Sequence, residues 1–235
     1  MKIKIGSYNI AACRQIDRDA TIIAADVEQN GLDIVGFQEV DRYADRSKHK
    51  DMEQDIKNNC SLKYTYYVKT LELGTIDKKY NMGEGDYGIM VASRYPIVFA
   101  ERFDLPAKDA EPRCLLHVKV DVDGRILSFY TTHFSHNNEI LRKPQFEFVA
   151  NLLKDDQNFI LTGDFNTQNF DDFAAFKNAA CINNHQNRIE TCLEPNGNRL
   201  AIDNIVFSND FTLQNFSVYD KNHSDHLLLM AEFQW

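Results

Sequence analysis

Five short strand-like runs in the sequence end in polar residues of the types that bind metal ions or phosphate groups. These endings are Ser7-Tyr8-Asn9, Phe37-Gln38-Glu39, Thr131-Thr132-His133, Gly163-Asp164-Phe165-Asn166 and Ser224-Asp225-His226. Layered α/β scaffolds build their sites by gathering side chains from the ends of several strands onto one rim. Taken singly, each ending is equally well explained as a turn residue, a helix cap or a satisfied histidine. Taken together, they predict one polar site that works on phosphate with the help of a metal.

The order of these residues resembles that of the endonuclease/exonuclease/phosphatase superfamily, the deoxyribonuclease-I-like metal-dependent phosphoesterases. The specific part of the resemblance is Gly163-Asp164-Phe165-Asn166 followed later by Ser224-Asp225-His226, with Ile202-Asp203 between them. The segment 87–97 is also similar to the central strand and turn of that family. The resemblance covers nearly the whole chain, roughly residues 3–235, and implies hydrolysis of a phosphoester by attack of water on phosphorus.

The resemblance implies a Mg²⁺ site, with Mn²⁺ as a substitute. Glu39 offers a hard carboxylate to the ion, and Asn9 either adds a neutral oxygen or orients a ligand. Asp225 is the next oxygen ligand, directly or through water. A phosphoryl centre is shielded by negative oxygens, so such a site must supply positive charge and aim a water molecule.

The resemblance also implies the catalytic residues. Asp164 accepts the proton of the water or holds a second metal, and Asn166 donates its amide to a phosphate oxygen. Asp203 pairs with His226, which fixes the imidazole tautomer and favours its charged form, so that His226 faces the phosphate as base or cation. Further donors to phosphate oxygens are His133, Tyr87 and Arg113.

Several of these residues have a structural alternative. Asp164 could cap a following helix, and His133 could be a buried histidine between sheets. Arg113 could be a solvated strand residue, and Tyr87 could belong to the core, as strand aromatics often do. The remaining histidines are interpreted as structural or exposed, with His136 and His223 near the predicted site.

The elements that must position the site alternate irregularly between strands and helices. Apolar spacing at Ala20, Ile23, Ala24 and Val27 predicts a helix over 19–30, and further helices are predicted over about 139–154 and 170–178. Pro144 must lie in the first turn of its helix or kink it. Strands are predicted at 3–10, 33–40, 64–73, 87–93, 97–105, 113–122, 125–134, 158–165, 202–208, 211–219 and 227–234.

This pattern favours an α+β layered sandwich with antiparallel sheet. The resemblance implies a four-layer α/β/β/α sandwich of two mixed, mainly antiparallel sheets flanked by helices. The polar regions 41–62 and 74–86 are expected to be loops or short helices. With 235 residues, 43% of them hydrophobic, one domain over 1–235 is expected.

The composition restricts partners and location. The net charge is −9, so a polyanionic substrate needs a local basic patch or a metal ion. The five cysteines are odd in number and scattered, which favours reduced thiols and a cytoplasmic protein. No apolar run reaches the roughly 18 residues of a membrane span, no signal segment is seen, and no obligate protein partner is expected.

The substrate is left open among three classes: a small or lipid-derived phosphoester, a nucleic acid cleaved by a nuclease of the same fold, and a phosphate ligand bound without turnover. The last is disfavoured because every expected carboxylate and histidine position is filled. The one basic stretch is 42–50, with Arg42, Arg46, Lys48 and Lys50. It is expected to overhang the metal site and to grip a second phosphate, or else to be a solvated turn.

Overall fold

The centre of the fold consists of two six-stranded sheets, seen in a computed structural model that describes residues 1–75, 83–136 and 138–235. The helices are α1 (Ala20–Gln29), α2 (Met52–Asn59) and α3 (Glu139–Leu153). The strands are β1 (Lys2–Asn9), β2 (Ile34–Arg42), β3 (Tyr64–Glu72), β4 (Asp86–Ser93), β5 (Ile97–Asp104), β6 (Cys114–Val122), β7 (Arg125–His133), β8 (Phe159–Asp164), β9 (Ala179–Cys181), β10 (Cys192–Leu193), β11 (Arg199–Leu200), β12 (Asp203–Ser208), β13 (Thr212–Tyr219) and β14 (Leu228–Gln234).

Each sheet is built around one parallel pair of strands. The first sheet has the order β13-β14-β1-β2-β4-β3, and the second has the order β5-β6-β7-β8-β12-β9. The strands β1 and β2 run parallel in the first sheet, and β7 and β8 run parallel in the second. The other described neighbours are antiparallel. The carboxyl ends of four central strands are thereby set at the same edge of the sheets.

Helices cover the outer face of each sheet, and a dry core lies between the sheets. The inner cluster joins Ile5 and Ile34 of the first sheet to Phe129 and Ile160 of the second. On one outer face, α1 and α2 bury Ile23 and other apolar side chains against the first sheet. On the opposite outer face, α3 and a 3-10 helix at Phe170–Ala175 pack against the second sheet. The fold is therefore the expected four-layer α/β/β/α sandwich.

The helix α1 forms where the apolar spacing predicts it. Asp19 caps its start by accepting a hydrogen bond from the backbone N–H of Thr21, which satisfies one of the free N–H groups of the first turn. Ala20, Ile23 and Val27 are fully buried against the sheet. Among the described residues, no helix combines the length and the apolar character needed to cross a bilayer.

Two expectations about local structure need correction. The third helix, predicted over 170–178, is a 3-10 helix that ends at Ala175 and is followed by β9. Pro144 lies beyond the first turn of α3, inside the helix that starts at Glu139. The region 41–62, expected to be loop or short helix, contains the short helix α2, and 76–82 lies outside the described residues.

The two sheets approach each other closely at Gly36 in the middle of β2. A Cβ at this position would overlap the hydroxyl of Thr162 and lie 2.5 Å from Oγ1 of Thr131. Just beyond it, Gln38 donates a hydrogen bond from Nε2 to Oγ1 of Thr131 at 2.9 Å. Glycine at position 36 therefore permits the contact that brings the ends of β2, β7 and β8 together.

Gly36→Ala should destabilise the protein by about 1–3 kcal/mol, because the added methyl group overpacks a buried contact between sheets. Gly74→Ala is the matched control, since the nearest atom to a Cβ there lies 3.5 Å away. Chemical denaturation followed by circular dichroism measures both changes. Equal free energies of unfolding for the two variants would contradict the proposed role of Gly36.

Candidate active site

The strand register sets the predicted polar residues opposite each other. Asn9 lies opposite Gln38 at the ends of β1 and β2. His133 lies opposite Asp164 at the ends of β7 and β8, and Asp203, at the start of β12, also lies opposite Asp164. The main chain alone therefore brings residues that are far apart in sequence to one edge of the sandwich.

Glu39 reaches this edge through an irregular backbone. The pairing of β2 with β4 skips from Phe37 to Val40, and Glu39 has a positive φ of 57°. Left-handed backbone is uncommon for residues other than glycine, and a bulge redirects the side chain that it carries. Such strain persists where the surrounding structure enforces it, often at functional sites. Here it directs the carboxylate of Glu39 into the cavity described below.

The fully buried side chain of Asn9 joins the two sheets at the site. Its Nδ2 lies 3.2 Å from Oε1 of Glu39 and 3.1 Å from Oδ2 of Asp164. The same nitrogen lies 3.4 Å from Nε2 of His226. The oxygen Oδ1 accepts the backbone N–H of Ala11 at 3.0 Å. Asn9 was predicted either to supply a ligand oxygen or to orient a ligand. The arrangement matches the second role, because Oδ1 already accepts a hydrogen bond from Ala11.

Asp203 and His226 form a buried hydrogen-bonded pair. Nδ1 of the imidazole lies 2.8 Å from Oδ2 of Asp203, and Nε2 faces Oδ2 of Asp164 at 3.7 Å. Ser224 holds this segment against β1: its hydroxyl donates to the backbone carbonyl of Asn9 at 2.8 Å and accepts the N–H of His226. The imidazole therefore has a fixed orientation, with Nδ1 as the donor to Asp203.

The buried charges shift two pKa values strongly. Burial would lower the pKa of His226, but the negative charges of Asp203 and Asp164 outweigh it and hold that pKa well above its ordinary value. Burial, together with the charge of Asp203, raises the pKa of Asp164 to about 7. Both pKa values are raised, and strongly shifted pKa values of neighbouring groups in one cleft are typical of a catalytic site.

Tyr87, His133 and Arg113 form a neighbouring buried group. The hydroxyl of Tyr87 lies 3.5 Å from Nδ1 of His133, whose Nε2 lies 3.4 Å from Asp164. Burial and the charge of Arg113 lower the pKa of His133, which keeps it neutral. Burial raises the pKa of Tyr87, so its hydroxyl stays protonated. Tyr87 also packs with Leu71 and Leu73, so its core role and its place at the site coexist.

Arg113 is a buried strand-end residue, not the solvated one considered as its alternative. Its side chain is 5% exposed, and Nη2 pairs with Glu111 at 3.2 Å. Within the described part of the chain, Nε and Nη1 have no hydrogen-bond partner. Burial would lower the pKa of this guanidinium, but the nearby carboxylates of Glu111, Glu39 and Asp164 raise it, so the group is charged. Unpartnered donors on a buried cation fit an anionic ligand.

Asn166 and Asp225 lie on the cavity wall but outside the closest group. The amide of Asn166 donates to the backbone carbonyl of Phe134 at 3.0 Å, and its backbone N–H donates to Asp164 at 2.9 Å. Asp225 accepts a hydrogen bond from Arg14 on Oδ2 at 2.9 Å. Asp225 is therefore not free in the arrangement seen here, and a cation at its carboxylate would compete with Arg14.

All ten predicted site residues except Asn9 and Asp203 line one cavity of about 630 Å³. Sequence reasoning missed further lining residues: Arg14, Glu111, Arg142, Gln168, Cys192 and Leu193. The small hairpin of β10 and β11 supplies the last two, and its turn was signalled by Pro195-Asn196-Gly197, where Gly197 has a φ of +87°. Nothing in the local sequence marked Arg14 or Arg142, because only the fold places them at the cavity.

Of the two expectations for the basic stretch 42–50, the structure contradicts the one that places it over the metal site. Arg42 pairs with Asp51 and Glu53, Arg46 pairs with Asp41, and Lys48 pairs with Asp17. None of the four basic residues of this described stretch lines the cavity. The flanking residues Asp41 and Asp51, together with Asp17 and Glu53, therefore pair with three of the four basic residues.

The donor atoms at the site fit a divalent cation. Asp164, Asp203 and His226 each offer one ligand atom, and these atoms lie within 4.8 Å of one another. The carboxylate of Glu39 faces the same cavity. Mg²⁺ and similar ions prefer hard carboxylate oxygens as ligands and keep several water molecules. The residues that line this cavity are therefore compatible with the implied metal.

Comparison with known proteins defines the class. The profile of the Endonuclease/Exonuclease/phosphatase family matches residues 6–226, and the chain belongs to this family. Members of the family are hydrolases that act on phosphoester bonds, nucleases and phosphatases among them, and they generally depend on a divalent metal. The chain is accordingly a hydrolase of this type.

Solved structures share the fold over almost the whole chain. An endonuclease/exonuclease/phosphatase from Beutenbergia cavernae DSM 12333 has a TM-score of 0.81 at 21% identity, covering 99% of this chain and 71% of the other. A mannosyl-6-phosphatase from Bacteroides thetaiotaomicron VPI-5482 has a TM-score of 0.72 at 20% identity, covering 99% and 100%. D. rerio TDP2 with a single-strand DNA product has a TM-score of 0.74 at 17% identity, covering 100% and 99%.

Asp203→Asn should lower the pKa of His226 in the metal-free protein. The substitution removes the negative charge that contributes most to holding the imidazole protonated, while its size is kept. Nuclear magnetic resonance titration of the imidazole signals measures the shift, with His185, which is exposed and pairs with Asp171, as the internal reference. An unchanged midpoint for His226 would show that Asp203 does not stabilise its charged form.

Proposed function

We propose that this protein is a Mg²⁺-dependent phosphoesterase that hydrolyses a small or lipid-derived phosphoester by attack of water on phosphorus. The observation that carries the proposal is the meeting of Glu39, Asp164 and His226 within 3.4 Å of one buried amide nitrogen, that of Asn9. Carboxylates and a charged imidazole at such short range supply the groups that phosphoryl transfer to water requires. We further propose that residues 1–235 form a single domain, because one inner core joins both sheets.

In the proposed site, Glu39 holds the cation, Asn9 orients the Glu39 carboxylate, and Asp225 contributes a further oxygen, directly or through water. When bound, Mg²⁺ or Mn²⁺ supplies positive charge that neutralises phosphoryl oxygens and lowers the pKa of water. The Asn9 amide keeps Glu39 and Asp164 at a fixed spacing, which limits the reorganisation required during the reaction.

Asp164 is the proposed proton acceptor for the attacking water. Its pKa of about 7 is well suited to this role, because a general base is most effective when its pKa lies near the working pH. The backbone N–H of Asn166 holds the other oxygen of the Asp164 carboxylate. His226, kept charged and oriented by Asp203, faces the developing negative charge on the phosphoryl group.

Arg113 is the proposed anchor for the non-bridging oxygens of the phosphoryl group. Two of its nitrogens are buried without a partner among the described residues, which is costly unless an anion completes their hydrogen bonds. His133 and Tyr87 lie beside it as neutral donors, and the second amide hydrogen of Asn166, which lines the same cavity, is a further proposed donor.

The surroundings of the cavity favour a small substrate over a nucleic acid. A nuclease needs basic groups that contact phosphates on either side of the cleavage point. The basic stretch 42–50 is neutralised by nearby acids, as described above, and the chain carries a net charge of −9. The mannosyl-6-phosphatase among the structural relatives acts on a sugar phosphate by its name, whereas TDP2 was solved with DNA. The fold is therefore compatible with a small phosphoester and with a nucleic acid as substrate. We propose the small phosphoester because the chain carries a net negative charge and its basic stretch is paired with acidic residues.

Activity should disappear with a chelator and return with Mg²⁺ or Mn²⁺. Glu39→Ala, Asp164→Ala and His226→Ala should each lower kcat/KM by about 10²–10⁴-fold, since each removes stabilisation of the transition state. Initial rates on a chromogenic bis-phenyl phosphodiester and on a phenyl phosphomonoester measure these losses. His185→Ala, a change of an exposed histidine that pairs with Asp171 outside the cavity, is the control and should keep full activity.

Circular dichroism and thermal melting establish that each variant is folded before its rate is interpreted. Wild-type turnover from any of the three alanine variants would remove that residue from the proposed mechanism. Undiminished turnover in chelator would contradict the metal dependence.

Substrate preference should favour small esters over DNA when one metal-loaded preparation is assayed on a panel. The panel contains the two phenyl esters, sugar and inositol phosphates, sphingomyelin, plasmid DNA and an abasic duplex. We expect kcat/KM to be highest on one of the non-nucleic substrates, because the buried Arg113 lines the cavity whereas the basic stretch 42–50 does not. Efficient nicking of plasmid DNA would instead identify the protein as a nuclease of this fold.

A further inference from the structure

The helix α1 buries one carboxylate in a face that is otherwise apolar. Asp26 is 3% exposed and shares the buried side of the helix with Ile23 and Val27. A buried carboxylate is unfavourable unless hydrogen bonds satisfy it. The proposed hydrolysis makes no use of Asp26, so its presence in this face requires another explanation.

The carboxylate of Asp26 contacts the residues that directly precede two parts of the site. Its Oδ2 accepts a hydrogen bond from the hydroxyl of Tyr8 at 3.5 Å and lies 2.9 Å from Nδ1 of His223. Tyr8 precedes Asn9 in β1, and His223 precedes the segment 224–226. One carboxylate in the helix layer therefore joins the strand end that carries the buried amide to the segment that carries the imidazole of the site.

The segment 224–226 has little regular structure of its own. Residues 220–227, between β13 and β14, form neither a helix nor a strand apart from the isolated bridge at His226. Segments without ladder hydrogen bonds open more easily than strands do. The position of Ser224, whose hydroxyl accepts the N–H of His226, therefore depends on contacts with neighbouring elements. The contact of His223 with Asp26 fixes the amino-terminal side of this segment to α1.

We propose that Asp26 is a positioning residue for the hydrolysis: through His223 it holds the segment 224–226 at the end of β1, which keeps His226 facing the phosphoryl group. This inference rests on the proposed function, in which His226 has that place. A displacement of about 1 Å at a reacting group costs on the order of a hundredfold in rate. Asp26 does not line the cavity, so it acts on the reaction only through the segment.

The role requires a hydrogen-bond acceptor at position 26 rather than a charge. The Tyr8 hydroxyl and Nδ1 of His223 are both donors to Asp26, and the side-chain carbonyl of an asparagine accepts hydrogen bonds as a carboxylate does. Leucine has a similar size but no acceptor, so it would release His223. The substitutions Asp26→Asn and Asp26→Leu therefore separate the hydrogen bonds from the packing of the side chain.

The first test compares kcat and KM of the metal-loaded, full-length variants on the phosphoester that the wild type hydrolyses fastest. Asp26→Leu should lower kcat by about ten- to a hundredfold with little change in KM, because the displaced group acts in the transition state. Asp26→Asn should keep most of the activity. Gln29→Leu is the matched control, since Gln29 is exposed on the same helix and accepts a hydrogen bond from the Tyr219 hydroxyl at 2.9 Å. This control should keep full activity.

The second test needs no turnover. In the metal-free protein, Nδ1 of His226 lies 2.8 Å from Asp203, and nuclear magnetic resonance measures how fast the proton on this nitrogen exchanges with water. Exchange should be faster in Asp26→Leu than in the wild type and unchanged in Asp26→Asn, because a released segment opens more often. If the wild type hydrolyses none of the assayed esters, the proposed function fails, while proton exchange still decides whether Asp26 positions His226.

Unchanged proton exchange in folded Asp26→Leu would overturn the inference, and so would a wild-type kcat in that variant. A lower free energy of unfolding with an unchanged kcat would show that Asp26 only stabilises the fold. An equal loss of kcat in Asp26→Asn or in Gln29→Leu would also overturn it. If Asp26→Leu does not fold, it is combined with Tyr8→Phe, which removes the buried hydroxyl that has lost its acceptor. The same loss of kcat and the same faster exchange are expected there, and wild-type values would overturn the inference.

Discussion

The site depends on one buried amide that holds two sheets in register. Asn9 ends a strand of the first sheet, and its side-chain nitrogen reaches Glu39 of the same sheet and Asp164 of the other. Ala11 fixes the amide oxygen, and Ser224 fixes the backbone carbonyl of Asn9. Because a fully buried amide must satisfy its hydrogen bonds, the ends of the strands cannot separate without a large cost. The hydrogen bonds from Asn9 therefore fix the positions of the Glu39 and Asp164 carboxylates.

The contact between the strand ends also brings negatively charged side chains together in a buried region. Asp164 and Asp203 are both almost fully buried, and their mutual repulsion raises the pKa of Asp164 beyond the effect of burial. The imidazole of His226 and the guanidinium of Arg113 balance part of that charge. A divalent cation would complete the balance, which is the physical reason why a metal-dependent reaction would suit this arrangement. The positive φ of Glu39 is a local cost of directing a further carboxylate toward the same point.

The hairpin of β10 and β11 supplies part of the cavity wall beside His226. Cys192 and Leu193 of β10 line the cavity, and Cys192 pairs with His226 in an isolated antiparallel bridge. The hairpin is attached to the Ser224-Asp225-His226 segment through the hydrogen bonds from Leu193 to Asp225 and from Leu227 to Thr191. The segment that carries His226 therefore also holds this part of the wall in place.

The sequence by itself determined the layered α+β class, most strands, α1, and the ten candidate site residues. Strand alternation and apolar spacing are local properties, and the order of Asn9, Glu39, Asp164 and His226 is readable along the chain. Only the tertiary structure decided that Arg42, Arg46 and Lys48 are neutralised, that Arg113 is buried with unpartnered nitrogens, and that Arg14 and Cys192 reach the site. The physical reason is that ion pairing, burial and pKa depend on which groups approach in space, and partners such as Asp17 for Lys48 lie far away along the chain.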